Sequence, residues 1–181
     1  PLNSFLPADS LGLLDLALQA GGSGFDPLRA QTRGNIRLQV DRAEFRGRDF
    51  GGVKLNANLE GGQLSGRLSD RDEALRLLLL ISGTLTERKQ EVRLTGNVFD
   101  FDLAELGISP QKIGGSFALE AGASASDAGS YTARIALDSI EVRTRHRTDR
   151  IRPTSLSLSS DTTATRAKLA SGDLSLAFVS P

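Results

Sequence analysis

This sequence predicts an all-β protein of repeated antiparallel strands, forming an elongated curved sheet or open groove with at most one or two short helical turns. Three observations carry that expectation. Apolar residues alternate with polar ones at period two, turn-forming clusters separate the alternating runs, and one strand pattern occurs twice.

Ile36, Leu38 and Val40 are interleaved with Arg37, Gln39 and Asp41, and Val53, Leu55, Ala57 and Leu59 with Lys54, Asn56 and Asn58. Similar runs follow at Val92–Leu94, Ala133–Leu137, Leu156–Leu158 and Leu174–Leu176. Period two places one set of side chains on each face of a strand, so each run reads as half-buried. Gly51-Gly52, Gly61-Gly62 and Gly114-Gly115 read as turns, and Gly21-Gly22-Ser23-Gly24 as a turn or flexible connection. Short turns imply antiparallel meanders rather than crossovers.

Helix is scarce. Glu73 to Ile81 could be helical with Asp70 or Asp72 as its cap, but the internal repeat argues for a strand in its second half. Leu103-Ala104-Glu105-Leu106 after Asp102 reads as one helical turn closed by Gly107 and ended by Pro110.

The repeat is the most informative feature. Ile36–Phe45 matches Ala133–Val142, 97 positions on. In both copies the apolar phase slips at the same place, from Val40 to Ala43 and from Leu137 to Ile140, as a β-bulge or sharp bend would produce. Leu16–Gly21 matches Phe117–Gly122 and Leu55/Ala57 matches Leu156/Leu158, each 101 on, while Leu75/Leu77/Leu79 aligns with Leu174/Leu176/Phe178 at 99. The organisation expected is a first β-repeat with connector over 1–110 and a second, truncated one over 111–181, both in one continuous array.

Composition bounds the function. Lys+Arg and Asp+Glu both total 22, so the basic excess that marks nucleic-acid binding is missing. Without Cys there is no disulfide, thiol nucleophile or thiolate metal site. The chain opens on Pro1-Leu2-Asn3 rather than Met and reads as a piece of a longer protein. Its longest apolar run, Leu77–Ile81, is far short of the ~18 residues of a membrane-spanning helix.

No catalytic constellation emerges, and the chain reads as a non-enzyme needing no cofactor. The single histidine, His146, lies among arginines that oppose protonation and repel a metal. Asp70/Asp72/Glu73 and Asp100/Asp102/Glu105 lack the ligand order of a calcium loop and read as turn and cap residues. If extended, Arg143, Arg145 and Arg147 share one face, with Arg150 and Arg152 returning beside them and Arg46 and Arg48 at the matching place in the first copy. Such forks suit phosphates or lipid headgroups; the plainer reading is a charged hairpin tip that keeps an edge soluble. The aliphatic face, from 29 Leu and no Trp, could close into a sandwich core or line an open trough. Pattern alone favours the closed core.

The unit Asn35–Asp70 and the connector Val98–Pro110 resemble the TamB/AsmA-like family of envelope proteins in diderm bacteria. Family members similarly repeat strand, Phe-x-Gly turn, strand, Gly-x-Leu-x-Gly, strand and an Asp-Leu-x-x-Leu-Gly-Leu element, here Asp102–Ile108. The second copy departs from this, since Arg143–Pro153 lacks the Phe-Gly residues. The resemblance covers about residues 11 to 178. It implies a periplasmic groove in an inner-membrane-anchored protein of outer-membrane biogenesis. The groove would conduct phospholipid or another acyl-chain lipid, or the module would work with an outer-membrane barrel of the Omp85 type. Groove-lining residues would then include Leu38, Val40, Leu55, Ala57, Leu59, Leu77, Leu79, Ile135, Leu137, Leu156, Leu158 and Leu176.

Overall fold

A computed structural model describes residues 11–24, 26–45, 48–126 and 129–180, with the backbone alone for Leu11, Gly12 and Phe45. The described residues form thirteen strands: β1 (Leu11–Ser23), β2 (Arg33–Phe45), β3 (Arg48–Phe50), β4 (Val53–Glu60), β5 (Gln63–Arg71), β6 (Leu75–Leu85), β7 (Gln90–Asp102), β8 (Gly114–Ala125), β9 (Tyr131–Arg143), β10 (Thr148–Ile151), β11 (Thr154–Ser160), β12 (Thr165–Ser171) and β13 (Leu174–Ser180). No helix is assigned among the described residues.

All thirteen strands belong to one antiparallel sheet. Its order is β1-β2-β4-β5-β6-β7-β8-β9-β11-β12-β13, with β3 beside β2 and β10 beside β9. The elongated curved sheet expected from the sequence is what forms, and it does not close: β1 and β13 stand at opposite edges. At ~4.8 Å per strand step, the main path extends about 48 Å. The sheet runs unbroken through residues 110 and 111, because β7 pairs β8 from Gln90↔Ala125 to Asp102↔Gly114.

Both expected bulges form. β2 pairs β4 up to Val40↔Val53, and from Ala43↔Phe50 it pairs β3 instead. In the second copy β9 pairs β11 up to Leu137↔Thr154 and β10 from Ile140↔Ile151. The slip there is absorbed by Ser139, the one non-glycine residue with positive φ (51°) among the described residues. The upstream alignment is corrected by one pleat. Val40 pairs Leu16 and its counterpart Leu137 pairs Leu119, so Leu16 corresponds to Leu119 rather than Phe117. Sequence matching cannot detect such a shift, because moving by two residues preserves the face.

Glu73–Ile81 is not helical, since Leu75 onward is β6; Asp70 and Asp72 instead accept the Asp72 (2.9 Å) and Ala74 (2.8 Å) amides and order the turn before it. Leu103–Gly107 does make a single helical turn. Asp102 accepts the Ala104 amide (2.9 Å), Gly107 has φ 71°, and the Gly107 and Ile108 amides return to the Ala104 and Leu103 carbonyls (3.1 and 2.9 Å). Gly61-Gly62 is the expected hairpin turn, both residues having positive φ. Gly114-Gly115 and Gly21-Gly22 are strand residues, not turns. A Cβ at Gly115 would lie 2.1 Å from the Glu141 carbonyl oxygen, and one at Gly22 2.4 Å from that of Arg33. Glycine serves there to let neighbouring strands approach closely.

Burial is thin. The accessible area is 12472 Å², against roughly 8,500 Å² for a globular chain of this mass. Among the described residues the buried apolar side chains are Ala74, Leu79 and Val98, and none is fully enclosed. Cohesion therefore comes from ladder hydrogen bonds and cross-strand pairs rather than a central core.

Candidate functional site: an uncovered aliphatic sheet face

Strand register places all the predicted lining residues on one face. Leu38 stands beside Leu55, Leu55 beside Leu68, and Leu68 beside Leu79. That row continues through Gly96 and Leu119 to Leu137. Val40 borders Val53 and Leu77 borders Val98. Ala57 pairs Ile36, Leu59 pairs Leu64, Ile135 pairs Leu156, Leu158 pairs Ala133, and Leu176 pairs Leu169. The opposite face carries Lys54, Asn56, Asn58, Arg67, Arg93, Glu120 and Arg134.

Among the described residues no second layer covers this aliphatic face. Along β4 its residues are half-buried while every wet-face residue is exposed. Exposure rises towards both edges, with Leu18 60% exposed on β1 and Phe178 66% exposed on β13. The closed core favoured by pattern alone does not form. Beside the β1–β2 loop, Ala20, Ile36, Ala57, Leu59 and Leu64 help line an open depression of about 600 Å³, within the ~300–1,000 Å³ typical of small-molecule sites.

One rim of the face is better covered. Ala74, Val98 and Asp70, all buried, lie at the end where β5, β6 and β7 meet the connector. Phe101 and Phe117 pack there at 6.1 Å between ring centroids, tilted by 59°. Burial holds the Asp70 carboxyl above the ordinary aspartate value, against the opposing pull of backbone N–H donors.

Sequence reading missed several face residues, including Leu64, Leu68, Val98, Phe117 and Leu119. Glycine hid most of them. Leu64-Ser-Gly66-Arg-Leu68 keeps period two, but the middle apolar slot holds glycine.

The arginine hairpin is arranged differently from an extended forked strand. β9 ends at Arg143, and Thr144 to Arg147 form a turn in which the Thr144 amide donates to the Arg147 carbonyl (2.8 Å). Arg143 is bound by Asp100, and Arg147 by Asp149 at 2.7 Å. Arg145 and His146 stand exposed at the turn. In the first copy Arg48 contacts Glu105 (3.4 Å), and Arg46 lies outside the described residues. Asp100 is thus an arginine partner and Asp102 a cap, and the described residues gather no cluster of three or more potential metal ligands. Among the described residues no helix is long and apolar enough to cross a membrane.

No known protein family, curated protein or solved structure matches this chain.

Proposed function

We propose that this chain is a non-catalytic, lipid-holding segment of a TamB/AsmA-like periplasmic protein that serves outer-membrane biogenesis. The observation that carries the reading is the uncovered aliphatic face, continuous across an open sheet whose main path has eleven strands. Exposed apolar area on this scale marks a binding surface in proteins that meet water. Leu, Ile, Val and Ala present no hydrogen-bond pattern, so acyl chains would be held by burial at ~0.8 kcal/mol per CH₂ and could slide without being read in detail. The family resemblance supplies the compartment and the cargo class. Photo-crosslinkers at Leu55 or Leu137 should capture lipid, and those at Lys54 or Ala136, on the wet face, should not. Equal capture from both faces, or no lipid on the native protein by mass spectrometry, would sink the reading.

A second reading, docking of a protein partner by strand addition, draws on β13. Every residue from Leu174 to Ser180 is exposed, and the strand has neither charge nor proline. Edges that stay unpaired usually carry one or the other. Loss of an outer-membrane protein partner on Ala177→Lys, with lipid capture intact, would favour this reading over the first.

A further inference from the structure

The wet face carries its own repeated feature, independent of what the aliphatic face holds. Arg37 on β2 pairs Asn56 on β4, which pairs Arg67 on β5. In the second copy Arg134 on β9 pairs Ser157 on β11, which pairs Lys168 on β12. The two triplets are repeat equivalents: Arg37 and Arg134 are 97 positions apart, and the other two pairs 101 each. Both therefore read cation, small neutral hydrogen-bonding residue, cation, straight across three adjacent strands.

The cations have no ion-pair partner among the described residues, and all four are exposed. The neighbouring wet-face positions of the first triplet hold Gln39, Lys54, Ser69, Asn35, Asn58 and Ser65, none of them acidic. Those of the second hold Ala136, Ser155, Ala170, Thr132, Ser159 and Arg166, the last bound to Asp161 at 3.0 Å. Glu120 is the one carboxylate diagonal to Arg134. An open space of about 570 Å³ lies over Arg37, Asn56 and Arg67.

A sheet surface that needed only solubility would place Asp or Glu in the middle position, where it would gain opposite-charge pairs with both neighbours. Both copies instead leave that position small and neutral. The flanking Cα atoms are about 9.6 Å apart, two strand steps, so both long side chains can converge above the middle residue. A tetrahedral oxyanion there would accept from the two cationic groups and from the Asn56 amide or the Ser157 hydroxyl. We infer that each repeat carries, on its wet face, a clamp for a phosphate group: Arg37–Asn56–Arg67 and Arg134–Ser157–Lys168.

The test is a titration of the ¹⁵N-labelled chain with inorganic phosphate against chloride at constant ionic strength, followed by NMR at the arginine Nε–H, Asn56 side-chain and Ser157 backbone signals. Saturable shifts at both clamps are expected. Arg37→Gln/Arg67→Gln should weaken the first by about tenfold or more and spare the second, and Arg134→Gln/Lys168→Gln the reverse. Arg88→Gln/Arg145→Gln should leave both intact. A response that never saturates, or that falls equally in the clamp and control variants, would overturn the inference. Co-sedimentation with phosphatidylglycerol-containing vesicles, against phosphatidylcholine alone, identifies the source. Clamp-dependent pelleting assigns a lipid headgroup, and saturation by free phosphate without pelleting assigns a soluble phosphate.

Discussion

The Arg48 guanidinium donates to the backbone carbonyl of Glu105 at 2.9 Å, joining β3 to the connector after β7 although three strands (β4, β5 and β6) lie between β2 and β7 in the sheet order. Few contacts in this single layer link strands that are not neighbours, so this one helps fasten the covered rim. Arg48 is well exposed and its carboxylate contact is long at 3.4 Å. Arg48→Ala should therefore cost no more than ~1 kcal/mol in global stability. The local effect should be larger: faster hydrogen exchange at the Leu106 and Gly107 amides than in the parent.

Leucines of the same face should differ sharply in what they contribute. Leu79 is 7% exposed and Leu176 44% exposed. Leu79→Ala should destabilise by about 2–3 kcal/mol, whereas Leu176→Ala should cost under ~1 kcal/mol. Urea denaturation of both variants checks the ratio, and equal losses would contradict an open face.

Glycines where strands approach closely should tolerate a side chain least. A Cβ at Gly96 would sit 2.0 Å from the Leu78 carbonyl oxygen. Gly96→Ala should therefore push β6 and β7 apart and cost ~2 kcal/mol or more. At Gly61 a Cβ would meet nothing within 4 Å. There the cost of Gly61→Ala is only that of the left-handed backbone, about 1–2 kcal/mol. Circular dichroism and thermal melts separate the two.

Two carboxyls should give opposite pH signatures. Burial raises Asp70, so its folded form favours the proton, and its contribution is best at low pH and lost as pH rises through the raised value. Asp70→Asn should accordingly gain stability relative to the parent as pH climbs from below the ordinary aspartate value to above the raised one. Asp161 is held well below the ordinary value, first by the Thr163 hydroxyl and then by the Thr163 amide, Arg166 and the Ala164 amide. Its contribution is present above the ordinary aspartate value and disappears as pH falls through the depressed one, so Asp161→Asn should flatten the acid limb of the stability profile. Denaturation midpoints measured across the acid range would show both.

Period-two alternation was legible in β2, β4, β9 and β11 because each apolar slot there holds a side chain large enough to register. It faded in β5 and β7, where Gly66 and Gly96 occupy such slots. The bulges at Asp41–Arg42 and at Ser139 were legible from the doubled polar step alone. Pairing of Arg143 with Asp100, 43 positions earlier, was not, because which strands become neighbours is a property of the assembled sheet.

Local alternation and backbone geometry made it legible that this protein is all-β, where the two repeats bend and, in β2, β4, β9 and β11, which side chains share a face. That the aliphatic face stays uncovered, and that the wet-face cations fall into matching triplets, follows from the assembled sheet. Both depend on strand order and register, which arise when distant ladders pair, and no local stretch of residues encodes whether a sheet will close on itself.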